Sequence, residues 1–203
     1  MKKKRLKNFI QKIHSSTKRD YLKRMKNQKI DSMRIASRYG YDYWDGSRKY
    51  GYGGYKYLEG YWTSLAKKIV KNYRLNNKSR ILDIGCGKGF LLYEIKKLIP
   101  KAHFLGIDIS NYAINNSHSE IKNYLKVCKA ENINNLKLKK KSFDLIISIN
   151  CLHNLEFLNL KKAFKNINFL SKKCYVVVES YNNEKELFNL QCWALTCKSF
   201  FSK

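Results

Sequence analysis

The sequence predicts an α/β domain: a doubly wound, mostly parallel sheet of about five strands in the order 3-2-1-4-5, with helices on both faces. Three observations carry this. From Arg80 onward, short apolar runs alternate with helical patterns, as in right-handed β-α-β crossovers. The run Phe143-Asp-Leu-Ile-Ile-Ser-Ile149 is apolar almost throughout, as a central parallel strand is. A strand pattern ending at Ile84 meets Gly85, Gly87 and Gly89, and a helical pattern starts at once with Phe90, Leu91, Leu92 and Ile95. Such a turn brings backbone N–H groups close to a ligand with no Cβ in the way.

Residues 1–38 are dense in Lys and Arg and predict a basic N-terminal helical arm. Leu6, Phe9, Ile10 and Ile13 have helical spacing, and Tyr21, Leu22 and Met25 follow. The expected role is a solvated helix laying one narrow stripe on its own domain; weak, non-specific contact with RNA or an anionic surface is the alternative. Residues 39–79 form a Tyr/Gly-rich lid and a helix leading into the sheet. Glycines at 46, 51, 53, 54 and 60 argue against regular structure in the lid. Its tyrosines, with Trp44 and Trp62, offer flat apolar faces with polar edges. Ligand contact is expected there, Tyr52 and Tyr55 shaping an acceptor pocket, with stacking on single-stranded nucleic acid as a further possibility. The leading helix spans about 61–75.

Residues 80–203 are the ligand-binding domain. Strand one is Arg80–Ile84, and its helix runs from about Lys88 to Ile99, stopping at Pro100. Strand two is His103–Asp108. Ser110 caps a helix over about 111–121. Strand three is Tyr124–Cys128, followed by a polar loop. Strand four is Phe143–Ile149, the turn after it Asn150–Asn154, and its helix about 157–170. Strand five is Cys174–Glu179, and a last helix begins near Glu184.

Composition sets the bounds. Hydrophobic residues are 44% of 203, enough for a core. No apolar run approaches the roughly 20 residues of a membrane span, and no signal-like stretch follows the basic N-terminus, so a cytoplasmic location is expected. The net charge is +27, yet only eight of the 42 basic residues are Arg. Nucleic-acid readers favour Arg, so we read the charge as codon usage ahead of function. The six cysteines form no Cys-x-x-Cys pair; they are expected to be free thiols, with no metal site.

Ligands of such sheets bind beyond the carboxyl ends of the strands, at the switch point. That rule aligns Asp83–Gly89, Asp108, Glu131 and Asn150–Asn154 on one rim. Gly-x-Gly-x-Gly is one residue shorter than the dinucleotide fingerprint. The Asp83 carboxylate suits a cationic or hydroxylated ligand. Asp108 can accept both hydroxyls of a ribose, and Ala130-Glu131 can read an adenine edge.

Asp83-Ile-Gly-Cys-Gly-Lys-Gly89, Gly106-Ile-Asp-Ile-Ser110, Ala130-Glu131 and Phe143-Asp-Leu-Ile-Ile-Ser-Ile-Asn150 resemble the motifs of the class I, Rossmann-like S-adenosylmethionine-dependent methyltransferases. The resemblance covers about 80–181. It implies S-adenosylmethionine as cofactor, its methionine end on Asp83, Gly85, Cys86, Gly87 and Gly89. It implies the ribose on Asp108, beside Ile109, the adenine near Ala130 and Glu131, and Asn150 beside the sulfonium methyl. The segment Arg48–Tyr55 also resembles the N-terminal part of some small bacterial methyltransferases. The expected reaction is methyl transfer to an O or N atom of a small molecule or sugar/glycan precursor. His153 is the expected general base, and Asn154 joins Tyr52 and Tyr55 on the substrate. The alternatives are an RNA-associated methyltransferase using the arm and a non-catalytic cofactor-binding remnant.

Two departures stand out. The family sheet usually has seven strands, and this chain lacks the C-terminal β-hairpin. The exposed edge should be covered by the last helix, the arm or a second subunit of a homodimer. The turn Asn150-Cys-Leu-His-Asn154 also lacks the Pro-Pro pattern of amino-directed nucleic-acid enzymes, and Cys151 does not follow a proline, which lowers the nucleic-acid reading.

Overall fold

The computed structural model describes residues 8–10 and 19–202. Leu6 and Ile13 of the expected arm lie outside them. The sheet has five parallel strands, β1 (Arg80–Ile84), β2 (His103–Asp108), β3 (Leu125–Val127), β4 (Leu145–Ile149) and β5 (Cys174–Val177). Their order is β3-β2-β1-β4-β5, as the sequence predicts. The register sets Asp83 beside Gly106 on one side and Ile147 on the other.

The pleat sorts the apolar strand residues between two cores. Ile81, Leu145, Ile147 and Tyr175 face one layer. Leu82, Ile84, Ile107 and Ile146 face the other. Before the sheet come α1 (Tyr21–Lys26), α2 (Lys29–Ala36), α3 (Tyr41–Trp44) and α4 (Thr63–Tyr73). Next are α5 (Phe90–Leu98), α6 (Asn111–Asn115), α7 (Ser119–Lys122), α8 (Phe157–Leu170) and α9 (Glu184–Trp193). α4 and α5 cover the first layer with Leu65, Ala66, Ile69, Leu92 and Ile95. α8 closes the second with Leu160, Ala163, Ile167 and Leu170, the spacing of one helical face.

Several boundaries differ from expectation, each for a local reason. The helix after β2 is interrupted: Asn116 caps α6, and the His118 imidazole accepts the Glu120 N–H to start α7. The helix after β1 starts at Phe90 rather than Lys88, because Gly87 and Gly89 adopt positive φ. β4 starts two residues late; Phe143 N–H instead donates to the Leu170 carbonyl at the end of α8. The lid, expected to be irregular, contains α3. After β5 a small two-stranded sheet, β6 (Ser180–Tyr181) parallel to β7 (Phe201–Ser202), flanks α9; it does not extend the main sheet.

Part of the arm is core rather than a solvated stripe. Phe9 stacks on Tyr175 of β5 with ring centroids 5.1 Å apart, and Ile10 is 3% exposed in the first layer. α1 and α2 bind α9: the Tyr21 ring meets Trp193 edge-on, and Lys29 Nζ donates to the Cys192 carbonyl at 2.8 Å. All six cysteines are free thiols. Among the described residues no helix is long and apolar enough to cross a membrane.

Candidate functional site

The turn after β1 is held by its neighbours. Gly85 N–H and Cys86 N–H both donate to the Ile107 carbonyl of β2, at 2.8 and 3.0 Å. Gly85 has φ 78°, and a Cβ there would stand 2.3 Å from Cys151 Cβ. The loops after β1 and β4 therefore touch at the switch point, and only glycine fits. Asp108 ties the turn to the next helix: its Oδ2 accepts Gly87 N–H at 2.9 Å and its Oδ1 accepts Ser110 N–H at 2.8 Å. Ser110 caps α6 through Ala113 N–H, as expected.

Asp83, the penultimate residue of β1, is 4% exposed. Burial, and then the nearby Asp108 carboxylate, pushes its pKa up to about 8. Its carboxyl makes no hydrogen bond among the described residues, and it lines a cavity of about 460 Å³, a usual size for a small-molecule site. A buried, unsatisfied carboxyl facing a cavity is a site for a cation.

The loop after β4 forms the next wall. Asn150 takes a left-handed backbone, φ 54°, and its N–H donates to the Val177 carbonyl. This turns the chain across the end of β1. His153 is 6% exposed. Its Nδ1 accepts the Glu179 amide at 3.3 Å, and its carbonyl accepts Lys198 and Ser199 N–H. A neutral imidazole whose Nδ1 accepts carries its proton on Nε2. Asn154 also lines the cavity, but its amide is engaged: Oδ1 accepts from Thr196 Oγ1 at 2.9 Å and Nδ2 donates to the Asn150 carbonyl. Cys151 stays a thiol at neutral pH, since burial, then Asp108 and Asp83, push its pKa far up.

The lid supplies the outer wall. Tyr52 and Tyr55 both line the cavity, with ring centroids 4.7 Å apart. Burial pushes the Tyr52 phenol up to about 12, so it remains a neutral donor. Tyr55 stacks on Phe90, the first residue of α5. Trp44 packs over Gly87, where an added Cβ would meet its ring at 2.9 Å. Its Nε1 donates to Ser110 Oγ at 2.9 Å.

One ion pair clasps lid to turn. Lys88, between the last two glycines, donates to both Asp45 oxygens at 2.8 and 2.6 Å. Asp45 also accepts Tyr55 N–H and the Tyr112 hydroxyl. Burial raises the Asp45 carboxyl, but the bonds from Lys88, Tyr112 and Tyr55 outweigh it and hold the pKa below the usual value. Its stabilisation is thus present above the unfolded value, about 3.9, and is lost as pH falls through the lower folded value. Asp45→Ala would strand the Lys88 ammonium, which is 5% exposed. We expect a loss of about 3 kcal/mol, read as a lower urea midpoint, and faster proteolysis within residues 46–60. An unchanged midpoint and cleavage rate would mean the clasp does not hold the lid.

The structure thus gathers Asp83, Gly85, Cys86, Gly87, Asn150, His153, Asn154, Tyr52 and Tyr55 around one cavity. It does not bring Gly89, Asp108, Ile109, Ala130 or Glu131 to that wall. Gly89 packs on Ile121 and Leu125, and Ile109 is 45% exposed. The Ala130 and Glu131 carbonyls accept from Asn166 of α8. Trp44 touches both Gly87 and Ser110 and itself lines the cavity. Sequence reasoning missed Asp45 and Lys88, as well as Arg19, Arg24, Arg48 and Trp193, which also line the cavity.

The sheet order, the glycine turn at its switch point and the buried acid beside it define a Rossmann-like domain of the class I methyltransferase type. The chain belongs to the Methyltransferase domain family, whose model matches residues 75–202; these are S-adenosylmethionine-dependent enzymes. It is 35% identical to a malonyl-[acyl-carrier protein] O-methyltransferase of Bacillus anthracis over 107 residues, 51% of this chain and 38% of that protein. It is 30% identical to a phosphoethanolamine N-methyltransferase of Plasmodium falciparum over 123 residues, 60% of this chain and 43% of that protein. The chain thus spans less than half the length of these curated relatives. In fold it is similar to the CurJ carbon methyltransferase, with TM-score 0.51 at 17% identity over 68% of this chain and 40% of that one.

Proposed function

We propose that this chain transfers a methyl group from S-adenosylmethionine to an O or N atom of a small molecule. The observation that carries the reading is Asp83: a buried carboxyl with no protein hydrogen bond among the described residues, facing the cavity beside the glycine turn. Its chemistry fits the cationic methionine end of that cofactor. Asp83 and the turn from Gly85 to Gly87 would hold that end, and Asp108, Ile109, Ala130 and Glu131 the nucleoside. Asp108 retains acceptor capacity beyond the backbone amides it already binds, so its chemistry fits a ribose hydroxyl. When bound, the cofactor supplies a methyl carbon already activated by its sulfonium.

The chain's own part is alignment and exclusion of water. Tyr52, Tyr55 and Trp44 shield the cavity with ring faces. Asn150 and His153 border it from the β4 loop and orient the acceptor. We assign His153 a role in positioning the acceptor atom, with its ring held through Nδ1 by the Glu179 amide. The O- and N-methyltransferase names of the relatives support both acceptor types.

Calorimetry with S-adenosylhomocysteine tests the cofactor: binding should be saturable and weakened at least tenfold by Asp108→Ala, and no binding by the wild type rules it out. Incorporation of labelled methyl groups into a small-molecule extract tests the transfer. In that assay His153→Gln, which can place an amide N–H near the old Nε2–H, should keep most of the turnover that His153→Ala loses. If glutamine and alanine are equally inactive and remove a limb of the pH profile, His153 is a base after all.

A further inference from the structure

Beyond the cofactor wall, the cavity is lined by three arginines, Arg19, Arg24 and Arg48. They converge on one ring. Their guanidinium carbons lie 5.0, 4.6 and 5.8 Å from the centroid of Trp193, the last residue of α9. Stacking on an aromatic ring fixes the guanidinium planes while leaving their N–H edges to bond elsewhere.

Two of the three are placed by backbone carbonyls. Arg24 donates to Trp193 O and Arg48 O. Arg48 donates to Gly51 O and Tyr52 O. Arg19 Nε is buried and makes no hydrogen bond among the described residues. None of the three is paired with a carboxylate among those residues, although five other ion pairs are formed there. The acids on the cavity wall are Asp83, at the glycine turn, and Glu179. Three like charges around one ring repel: burial, then Arg48, then Arg19 lower the Arg24 pKa. A structure that gathers three cations and leaves them without an acid is built for an anion from outside.

Composition is an independent pointer. The chain carries eight Arg among 42 basic residues, and five of those eight fall between Arg19 and Arg48. Of these five, Arg19, Arg24 and Arg48 form the cluster, while Arg34 pairs with Asp31 on the surface.

We propose that Arg19, Arg24 and Arg48, held around Trp193, bind an oxyanion group of the methyl acceptor, a phosphate monoester or a carboxylate. This rests on reading the cavity as the methyl-transfer site. The acceptor then spans the cavity, with its anion at the arginines and its nucleophilic atom toward Asn150 and His153. The Tyr-Gly lid takes part directly, because Arg48 and Tyr52 belong to it.

The test titrates the full chain with S-adenosylhomocysteine, and then, in its presence, with inorganic phosphate or malonate at fixed ionic strength, by calorimetry. Arg19→Gln is the main variant, since the structure gives this side chain the fewest protein bonds to lose; Arg48→Gln is the second, and both are checked by thermal melting. Lys172→Gln on the exposed surface removes the same charge away from the cavity. At least one anion should bind saturably, at least tenfold more weakly in Arg19→Gln and Arg48→Gln, with unchanged affinity in Lys172→Gln and for S-adenosylhomocysteine. Preference for phosphate or malonate identifies the oxyanion. Anion binding that is absent, or equally reduced by Lys172→Gln, overturns the proposal even when S-adenosylhomocysteine binds. Anion binding lost in the arginine variants without any S-adenosylhomocysteine binding keeps the oxyanion site and overturns the cofactor reading instead.

Discussion

Gly85→Ala is expected to destabilise the fold by about 3 kcal/mol, from a left-handed backbone and an overfilled contact, and to abolish S-adenosylhomocysteine binding. Two costs add. The residue has φ 78°, which an L side chain adopts only with strain. The new Cβ would sit 2.3 Å from Cys151 Cβ and 2.5 Å from its sulfur, so the β4 loop must retreat. That loop carries Asn150 and His153, and the turn carries the Cys86 and Gly87 amides. A shift at this one contact disturbs both walls of the site. The steric part can be separated by a double substitution. Gly85→Ala with Cys151→Gly removes the overlap and keeps the backbone strain, so about half the stability should return relative to Cys151→Gly alone. For a chain of this size the single substitution lowers the melting temperature by roughly 10 °C. A drop under roughly 2 °C would mean that the two loops are not in contact in solution.

The sheet was legible because each strand is a short apolar run closed by a glycine or polar residue, and the period separates strand from helix. The cavity wall at the glycine turn was legible because Asp83, Gly85, Cys86 and Gly87 lie within one strand–turn unit. The opposite wall was not. Arg19, Arg24, Arg48 and Trp193 are brought together only when α1 packs on α9, more than 160 residues away in sequence. No local period reports such a contact, and a basic arm on a strongly basic chain reads as solvated surface. Lys88 was visible only as the variable residue between two glycines; its partner Asp45 lies 43 positions earlier. The split of the helix after β2 was missed because caps on Asn116 and His118 outweigh a continuous helical pattern. For His153, the sequence shows a residue type able to act as a base, whereas the Glu179 amide on its Nδ1 comes from just beyond β5, 26 positions away.

Asp83 should make cofactor affinity depend on pH near neutrality, well above the range in which an ordinary surface acid would do so. In the free protein its carboxyl has a pKa of about 8 and is mostly protonated at neutral pH. A bound ammonium favours the carboxylate and lowers that value. Binding therefore releases a proton, and affinity should rise about tenfold per pH unit below pH 8 as far as the bound pKa. The rise ends near pH 8, where a ligand α-ammonium begins to lose its own proton. Stability of the free protein runs the other way. A folded pKa above the unfolded value of about 3.9 means that the native state holds the extra proton, so stability falls as pH rises toward 8. The thermal shift produced by S-adenosylhomocysteine should accordingly grow between pH 5.5 and 7.5 in the wild type, roughly in step with the tenfold-per-unit gain. Asp83→Asn keeps the shape and removes the charge. It should bind roughly 30-fold more weakly at pH 7.5, a loss of about 2 kcal/mol, with a thermal shift that no longer changes with pH. A wild-type shift that is itself constant across that range would place the ligand's cation elsewhere in the cavity, with Glu179 as the next acid to test.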